Sequence, residues 1–163
     1  YAVAEFYVRA ATIARMNVLV EQVRRISEGA ASMTGATLTF ELPEEPNWDM
    51  ITNYALARRL AGRMAEVGLE LPEAKPEPGK GSTDWGNVSY VTPSVETAYP
   101  IVDRVCTWHS QDVVNASVSE LGEENTLKVA KAMALTGVDL IVDPSLLNAV
   151  KSEFSEALLA RTI

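Results

Sequence analysis

Apolar side chains recur at three- and four-residue steps in three stretches of the chain, a spacing that predicts amphipathic helices. The helices are expected over residues 11–33, 50–67 and 123–138, and Gly35 is a plausible stop for the first. The apolar stripes are Ile13, Met16, Val20, Val23, Ile26 and Ala30 in the first, Tyr54, Ala57, Leu60, Met64 and Val67 in the second, and Leu127, Ala130, Ala134 and Val138 in the third.

Start signals predict a fourth helix, over residues 143–159. Asp143 stands where a helix N-cap is expected, and Pro144 follows in the first turn. An aspartate side chain can accept a hydrogen bond from the first free backbone N–H groups, and proline loses no helical hydrogen bond there.

Two stretches have the pattern of half-buried strands. In residues 36–42, Leu38 and Phe40 alternate with polar neighbours, and residues 1–10 are rich in aromatic and β-branched side chains. Residues 87–102 have strand character broken by prolines. The chain as a whole is therefore predicted to be a mixed α and β protein.

Turn-forming residues divide the chain. "PEEPNWD", residues 43–49, is a proline-rich break and the predicted domain boundary, while residues 71–82 and the stretch from 112 to about Ser119 are predicted loops. The strand–helix–strand block before the break is small for an independent domain. A chain that opens in a strand-like segment without Met is expected to be a piece of a longer polypeptide.

Composition narrows the classes of function. The 163 residues carry 47% hydrophobic side chains, enough for a core, and a formal charge of −8, which disfavours nucleic-acid binding. One cysteine cannot form an internal disulfide, which favours a reducing compartment such as the cytoplasm. No apolar run approaches ~20 residues, so no transmembrane helix is predicted.

The stretch "CTWHSQ", residues 106–111, holds the only cysteine and the only histidine. Cys106 and His109 could form a nucleophile and its base, but three residues apart in an irregular segment the two side chains would diverge. A lone cysteine is more often a small buried hydrophobe. His109 could be a metal ligand if carboxylates supplied the others, or an ordinary loop histidine.

Two further residues are open to a functional and a structural interpretation. Asp84 lies in the polar, glycine-rich "GKGSTDWGN", which could present backbone N–H groups to an anion or simply form a turn. Arg9 could pair bidentately with a carboxylate or remain a surface charge.

The stretches that contain these residues follow one another along the chain in the same order as similar stretches in a known family. "AVAEFYVRA" followed by "VEQVRRISEGAASMTGA" resembles the lid or dimerisation domain of the metallopeptidase family of aminoacylase, carboxypeptidase G and succinyl-diaminopimelate desuccinylase. "GSTDWGNVSYVTPSV" followed by "TWHSQ" is similar to the end of its catalytic domain. "STDWGNVSYVTP" and the C-terminal run "LKVAKAMALTGVDLIVDPSLLNAVKSEF" most resemble the amidohydrolase branch of p-aminobenzoyl-glutamate hydrolase and related dipeptide hydrolases.

The resemblance implies an α+β lid inserted in an α/β catalytic domain, with residues 1–45 from the lid and 46–163 from the catalytic domain. It implies hydrolysis of an amide or peptide bond in an N-acyl amino acid, a dipeptide or an aminobenzoyl-glutamate-like substrate, by a water bridging two divalent metal ions, zinc by family default. His109 matches the last metal-ligating histidine, Arg9 a lid arginine that grips the substrate carboxylate, and Asp84 a motif that shapes the substrate pocket.

The resemblance also implies what this chain lacks. The other metal ligands, the bridging aspartate and the general-base glutamate of the family lie upstream of the lid, so no catalytic residue is expected in these residues, which alone should be inactive. A homodimer formed through the lid is expected, with no nucleic-acid or membrane partner. The alternative is a non-catalytic or truncated relative that acts only as an oligomerisation or binding module.

Overall fold

A computed structural model describes residues 1–42, 44–70 and 81–161 of the chain. These residues are mostly helical and contain no strand; the only pairing of extended backbone among them is an isolated parallel bridge between Thr52 and Ser94. The helices of the described residues are α1 (Ile13–Thr34), α2 (Tyr54–Glu66), α3 (Trp85–Ser89), α4 (Gln111–Ser117), α5 (Glu120–Val142) and α6 (Pro144–Arg161).

The described residues fall into two compact units. The first is built from residues within Tyr1–Met50 and Glu77–Val88 and contains α1 and all of α3 except its last residue, Ser89. The second is built from residues within Ile51–Pro76 and Ser89–Ile163 and contains the other helices. The boundary expected between residues 45 and 46, between a lid and a catalytic domain, stays a prediction.

The four helices predicted from spacing and start signals are confirmed. The side chain of Thr12 caps α1 by accepting from the Arg15 N–H, and Gly35 ends it in the left-handed conformation at φ 70°. At α6, Asp143 Oδ1 accepts from the backbone N–H groups of Ser145 and Leu146. The pKa of Asp143 is lowered, first by a hydrogen bond from the Ser145 hydroxyl and then by that of the Leu146 N–H.

The predicted strands at residues 1–10 and 36–42 are not formed in this structure, so the α+β class is not confirmed. Extended backbone becomes a strand only when its N–H and C=O groups pair with a neighbouring strand, and no described residue provides one. The side chains of the first segment are accordingly solvent-exposed, with Val3 at 75%, Phe6 at 72% and Tyr7 at 84%.

Two further predictions need correction. The stretch after residue 111, predicted as a loop, contains α4, whose first turn follows Ser110. The start of residues 87–102, predicted to have strand character, belongs instead to α3, and only Ser94 of this segment pairs with extended backbone. Short elements of five to seven residues carry too few apolar steps to reveal their period. Of the predicted loop 71–82, residues 71–80 lie outside the described ranges.

The core of the second unit lies where α2 meets α5. Its buried side chains are Leu60, Met64, Leu69, Val129 and Ala132, against which Val95 and Tyr99 also pack. α6 packs on both α2 and α5 and contributes buried Val150. These helices form the scaffold that carries the rest of the unit.

Helix α5 is buried on a different face from the one its apolar stripe predicts. Leu127, Ala130, Ala134 and Val138, expected to face the core, are exposed. The buried face instead includes the polar residues Asn125, Thr136 and Asp139. Tertiary contacts with α2 have therefore overridden the period of the sequence.

An ion pair explains how an acidic residue is tolerated on that buried face. Asp139 is 5% exposed and binds Arg63 bidentately, with Nε to Oδ2 at 2.8 Å and Nη2 to Oδ1 at 2.6 Å. Arg59 Nε lies 3.0 Å from Asp139 Oδ2, in a direction that does not make a hydrogen bond, so its contribution is electrostatic. The Arg63 hydrogen bond is the main cause that lowers the pKa of Asp139, and burial opposes it.

We expect the Asp139 carboxylate to stabilise the fold most at neutral pH. Because its pKa is lower folded than unfolded, the stabilisation is present above the ordinary value of 3.8 and is lost as the pH falls through the lower folded pKa. The difference in unfolding free energy between wild type and Asp139→Asn should therefore shrink as the pH falls below 3.8. Denaturant titrations across the pH range measure it, with Asp112→Asn, an exposed ion-pair partner of Arg104, as a control showing little difference.

A buried asparagine joins α2 to α6. The Asn53 side chain, 2% exposed, accepts from the Leu56 N–H at 2.9 Å and donates to the Val150 carbonyl at 2.8 Å. Glu153 on α6 accepts from the Tyr54 N–H in addition, so that the start of α2 is satisfied by α6.

Replacing that asparagine should destabilise the second unit. Asn53→Ala removes an N-cap and an interhelical hydrogen bond, and we expect a loss of about 1–2 kcal/mol in unfolding free energy. Asn148→Ala, at an exposed position of α6, is the matched control and should change it by less than about 0.5 kcal/mol. Equal stability of the two variants in urea would contradict this role.

No single helix among the described residues is long and apolar enough to cross a membrane. By length and composition α5 and α6 would qualify together, but they are bent by 99°.

Candidate functional site

His109 lies on an exposed turn directly before α4. Its backbone is left-handed, with φ 58°, the only such non-glycine residue among those described. Ser110, the N-cap residue, donates its hydroxyl to the Thr107 carbonyl at 2.6 Å and so closes the turn. The imidazole meets the Trp108 ring edge to face, with centroids 5.9 Å apart, and among the described residues it makes no hydrogen bond. The ring nitrogens are therefore available to a ligand.

Cys106 lies three residues before His109 in the same segment. It is a free, half-buried thiol, and no hydrogen bond joins it to His109. The segment between them is irregular, as expected. This geometry offers no support for a nucleophile–base pair and agrees with a packing role for Cys106.

Asp84 stands at the start of the short helix α3. Its backbone carbonyl accepts from the Asn87 N–H at 3.0 Å, while the Thr83 hydroxyl accepts from the Trp85 N–H at 3.3 Å. The residue is exposed and its carboxylate makes no hydrogen bond within the described part of the chain. The position is compatible with ligand contact and equally with a solvated turn, so its substrate role stays a prediction.

The residues that follow Asp84 in "DWGNVS" make close contacts with the backbone of residues 46–51. The Asn87 amide accepts from the Trp48 N–H at 2.9 Å and donates to the Pro46 carbonyl at 3.1 Å, which fixes an extended segment much as a strand neighbour would. Gly86 lies so close that a Cβ there would be 2.0 Å from the Trp48 carbonyl oxygen. In the second unit, fully buried Ser89 accepts from the Ile51 N–H at 2.9 Å.

Sequence reasoning missed these three supporting residues. It assigned Asp84 and its glycine-rich turn to the substrate pocket and gave no role to Gly86, Asn87 and Ser89, which make contacts with the protein itself. The signal in the sequence was "GNVS" itself. Its glycine is typical of sites where another backbone comes close, and its amide and hydroxyl side chains are typical of hydrogen bonds to backbone groups.

Arg9 lies in the exposed extended segment of the first unit. Its guanidinium is 5.6 Å from the centroid of its neighbour Tyr7, and within the described ranges it has no carboxylate partner. Arg9 and Asp84 belong to the first unit and His109 to the second.

The residues that the structure describes do not build a metal centre by themselves. Among the described residues, no group of three or more His, Cys, Asp and Glu side chains could hold a metal ion. His109 could supply one nitrogen ligand, and a stable site for a divalent cation needs several more.

The residues that flank "CTWHSQ" line an open groove of about 370 Å³. Its walls include Asp103, Arg104, Asp112 and Asn115. Arg104 Nη1 donates to Asp112 Oδ2 at 3.3 Å, and this bond is the main cause that raises the pKa of Arg104. The groove also has apolar walls, from Ile101, Val102, Ala116 and Leu121, and His109 is not among the residues that line it.

Comparison with known proteins finds similarity to dipeptidases. No protein-family model matches this chain. The chain is 30% identical to Xaa-Arg dipeptidase of Mus musculus over 156 residues, an alignment that covers 94% of this chain. It is 26% identical to Xaa-Arg dipeptidase of Homo sapiens over 151 residues, an alignment that covers 91% of this chain. The chain spans about a third of the length of these dipeptidases, 36% and 34% respectively. This similarity over most of the chain supports a peptidase or amidohydrolase family for it.

Proposed function

We propose that the whole protein to which this chain belongs hydrolyses the amide bond of dipeptides. The observation that carries the proposal is the similarity to two Xaa-Arg dipeptidases over more than nine-tenths of the chain. The family resemblance of "GSTDWGNVSYVTPSV" and "TWHSQ" supports the same activity. Within that family we assign the protein to the branch of p-aminobenzoyl-glutamate hydrolase and related dipeptide hydrolases.

The substrate class that we propose is taken from the names of the relatives. A dipeptide with a C-terminal arginine is the first candidate, and N-acyl amino acids and aminobenzoyl-glutamate-like amides are the others. All of them carry a free carboxylate beside the scissile amide. Arg9, which has no carboxylate partner among the described residues, is our candidate for binding that carboxylate.

A metal requirement is part of the proposal. We propose two divalent ions, zinc in the first instance, with the exposed imidazole of His109 as the one ligand from this chain. The described residues hold no complete ligand group, and the proposal places the remaining ligands elsewhere in the whole protein. Asp84 is assigned to shaping the substrate pocket.

The proposal extends to the setting of the enzyme. The lid formed in part by residues 1–45 pairs two copies into a homodimer, in line with the apolar side chains that residues 1–10 expose. The single cysteine favours a cytoplasmic location, and the charge of −8 disfavours nucleic-acid partners.

Substrate profiling of the purified whole protein tests this function. We expect release of free amino acids from dipeptides ending in arginine, and slower release when arginine is replaced by an acidic residue. Arg9→Ala should raise KM by about tenfold or more for every substrate with a free carboxylate, through loss of a charge-assisted hydrogen bond. Arg15→Ala, an exposed arginine at the start of α1, is the matched control and should leave KM unchanged.

A non-catalytic role is the second candidate. The unpaired extended segment at residues 1–10, with Val3, Phe6 and Tyr7 exposed, is the kind of edge that pairs with another chain. A purified whole protein that forms stable oligomers but releases no amino acid from any of these substrates would favour this candidate over the enzyme.

A further inference from the structure

The segment that carries His109 is held at both of its ends by the first turns of α5. Before the histidine, the buried Asn125 side chain donates from Nδ2 to the Pro100 carbonyl at 2.8 Å. After the histidine, α4 packs on α5 and on no other helix of the described residues. The position of His109 therefore depends on how α4 meets α5.

One hydroxyl joins the end of α4 to the start of α5. Ser119 Oγ donates to the Ala116 carbonyl at 2.7 Å, in the last turn of α4, and accepts from the Gly122 N–H at 3.1 Å, in the first turn of α5. The same Oγ lies 3.4 Å from the Ile101 carbonyl, on the segment that leads to the histidine. We call Ser119, Gly122 and Asn125 the α4–α5 junction.

Glycine is required at the junction because the ends of the two helices come very close together there. A Cβ built on Gly122 would lie 2.4 Å from the Ala116 carbonyl oxygen, a backbone atom that cannot rotate away. Gly122 is buried, so a larger residue at this position has to push α4 out of its place. The glycine and the Ser119 hydrogen bonds together fix the direction of α4 relative to α5.

A small change of angle at the junction becomes a large displacement at His109. Helix α4 has seven residues, and the histidine stands two residues before its first one. Since seven helical residues span about 10 Å, a tilt of about 10° at the far end would move the histidine by about 2 Å. Distances between a metal and its ligands are held to within about 0.2 Å, so such a movement is enough to lose a ligand. Within the described part of the chain, no hydrogen bond to the imidazole opposes it.

We propose that the α4–α5 junction is a positioning site that holds His109 where it binds metal. In this role its three residues act through the direction of α4 and not by contact with metal or substrate. The inference rests on the proposed function, because it takes His109 to be a metal ligand.

Two glycine variants of the whole protein test the proposal. Gly122→Ala adds a methyl group against α4, whereas Gly62→Ala, the matched control, adds one to α2 where a Cβ meets nothing within 4 Å. We expect zinc to bind Gly122→Ala at least about tenfold more weakly than wild type, and Gly62→Ala as tightly as wild type. Competition with a chromophoric chelator measures these affinities. Alanine favours a helix over glycine at both positions, so a lower helix propensity cannot explain a difference.

A second pair of variants separates positioning from stability. Ser119→Ala removes the N-cap hydroxyl at the start of α5, and Asp143→Ala removes the N-cap carboxylate of α6 at the other end of α5. Both should lower the urea midpoint of unfolding, but only Ser119→Ala should weaken zinc binding. Ser119→Thr keeps the hydroxyl and should retain the wild-type affinity. Equal weakening in Asp143→Ala would show a loss of stability alone and would overturn the proposal.

Amide hydrogen exchange of the metal-free proteins gives a measurement that does not depend on zinc. Peptides from residues 101–110 should exchange faster in Gly122→Ala and Ser119→Ala than in wild type. Unchanged exchange there, or a wild-type zinc affinity in both variants, would overturn the proposal. A wild-type protein that binds no zinc would contradict the proposed function instead, and exchange in residues 101–110 would then decide this inference alone.

Discussion

His109→Asn should leave the fold of the whole protein intact and lower its hydrolytic activity by more than about 100-fold. Asparagine adopts the left-handed conformation that φ 58° requires, and the side chain is exposed, so stability should not change. Loss of a metal-ligating nitrogen should cost more than the 10- to 100-fold typical of residues that only orient a ligand. Activity and bound metal per subunit are the two measurements.

The control for this variant is Val105→Ala, which truncates a 99% exposed side chain four residues upstream. It should keep full activity and full metal content. Unchanged metal stoichiometry and activity in His109→Asn would show that His109 is not a metal ligand but an ordinary loop histidine.

Gly86→Ala should destabilise the protein by about 3 kcal/mol. The added methyl group would lie 2.0 Å from the Trp48 carbonyl oxygen and 2.8 Å from its carbon, which are backbone atoms that cannot rotate away. The Asn87 hydrogen bonds to the same segment must then lengthen or break, and overpacking of this kind costs from about 1 to 3 kcal/mol or more.

Gly81→Ala is the matched control because it lies in the same unit and its Cβ would meet nothing within 4 Å. We expect a change below about 0.5 kcal/mol. Denaturant unfolding of both variants gives the comparison. Equal stabilities would show that the contact between Gly86 and Trp48 is not maintained in solution.

Helices could be predicted from the sequence where local signals decide them. Gly35 and Asp143 end or begin helices through their own backbone preferences and side-chain hydrogen bonds, and these need no knowledge of the fold. Which face a helix buries could not be predicted for α5, because Asp139 is drawn inward by Arg63 on α2, a partner 76 residues away along the chain. The strands predicted at residues 1–10 and 36–42 can form only where another strand pairs with them. The pattern of these two segments does not show whether such a strand is present.

The candidate site was predictable only as single residues. His109 was singled out by its rarity and by the family resemblance, and the structure adds that it is exposed on a left-handed turn. The contacts of Gly86 and Asn87 with residues 46–48 join positions about forty apart along the chain, so no local spacing reveals them. The role of Arg9 depends on a substrate and stays a prediction.

The most direct test of the central claim is hydrolysis of a dipeptide ending in arginine by the purified whole protein, before and after removal of divalent metal by a chelator. The account predicts release of free arginine, loss of that activity with the chelator, and recovery when zinc is added back. No hydrolysis by the metal-loaded protein, of this dipeptide or of the alternative amides, would contradict it.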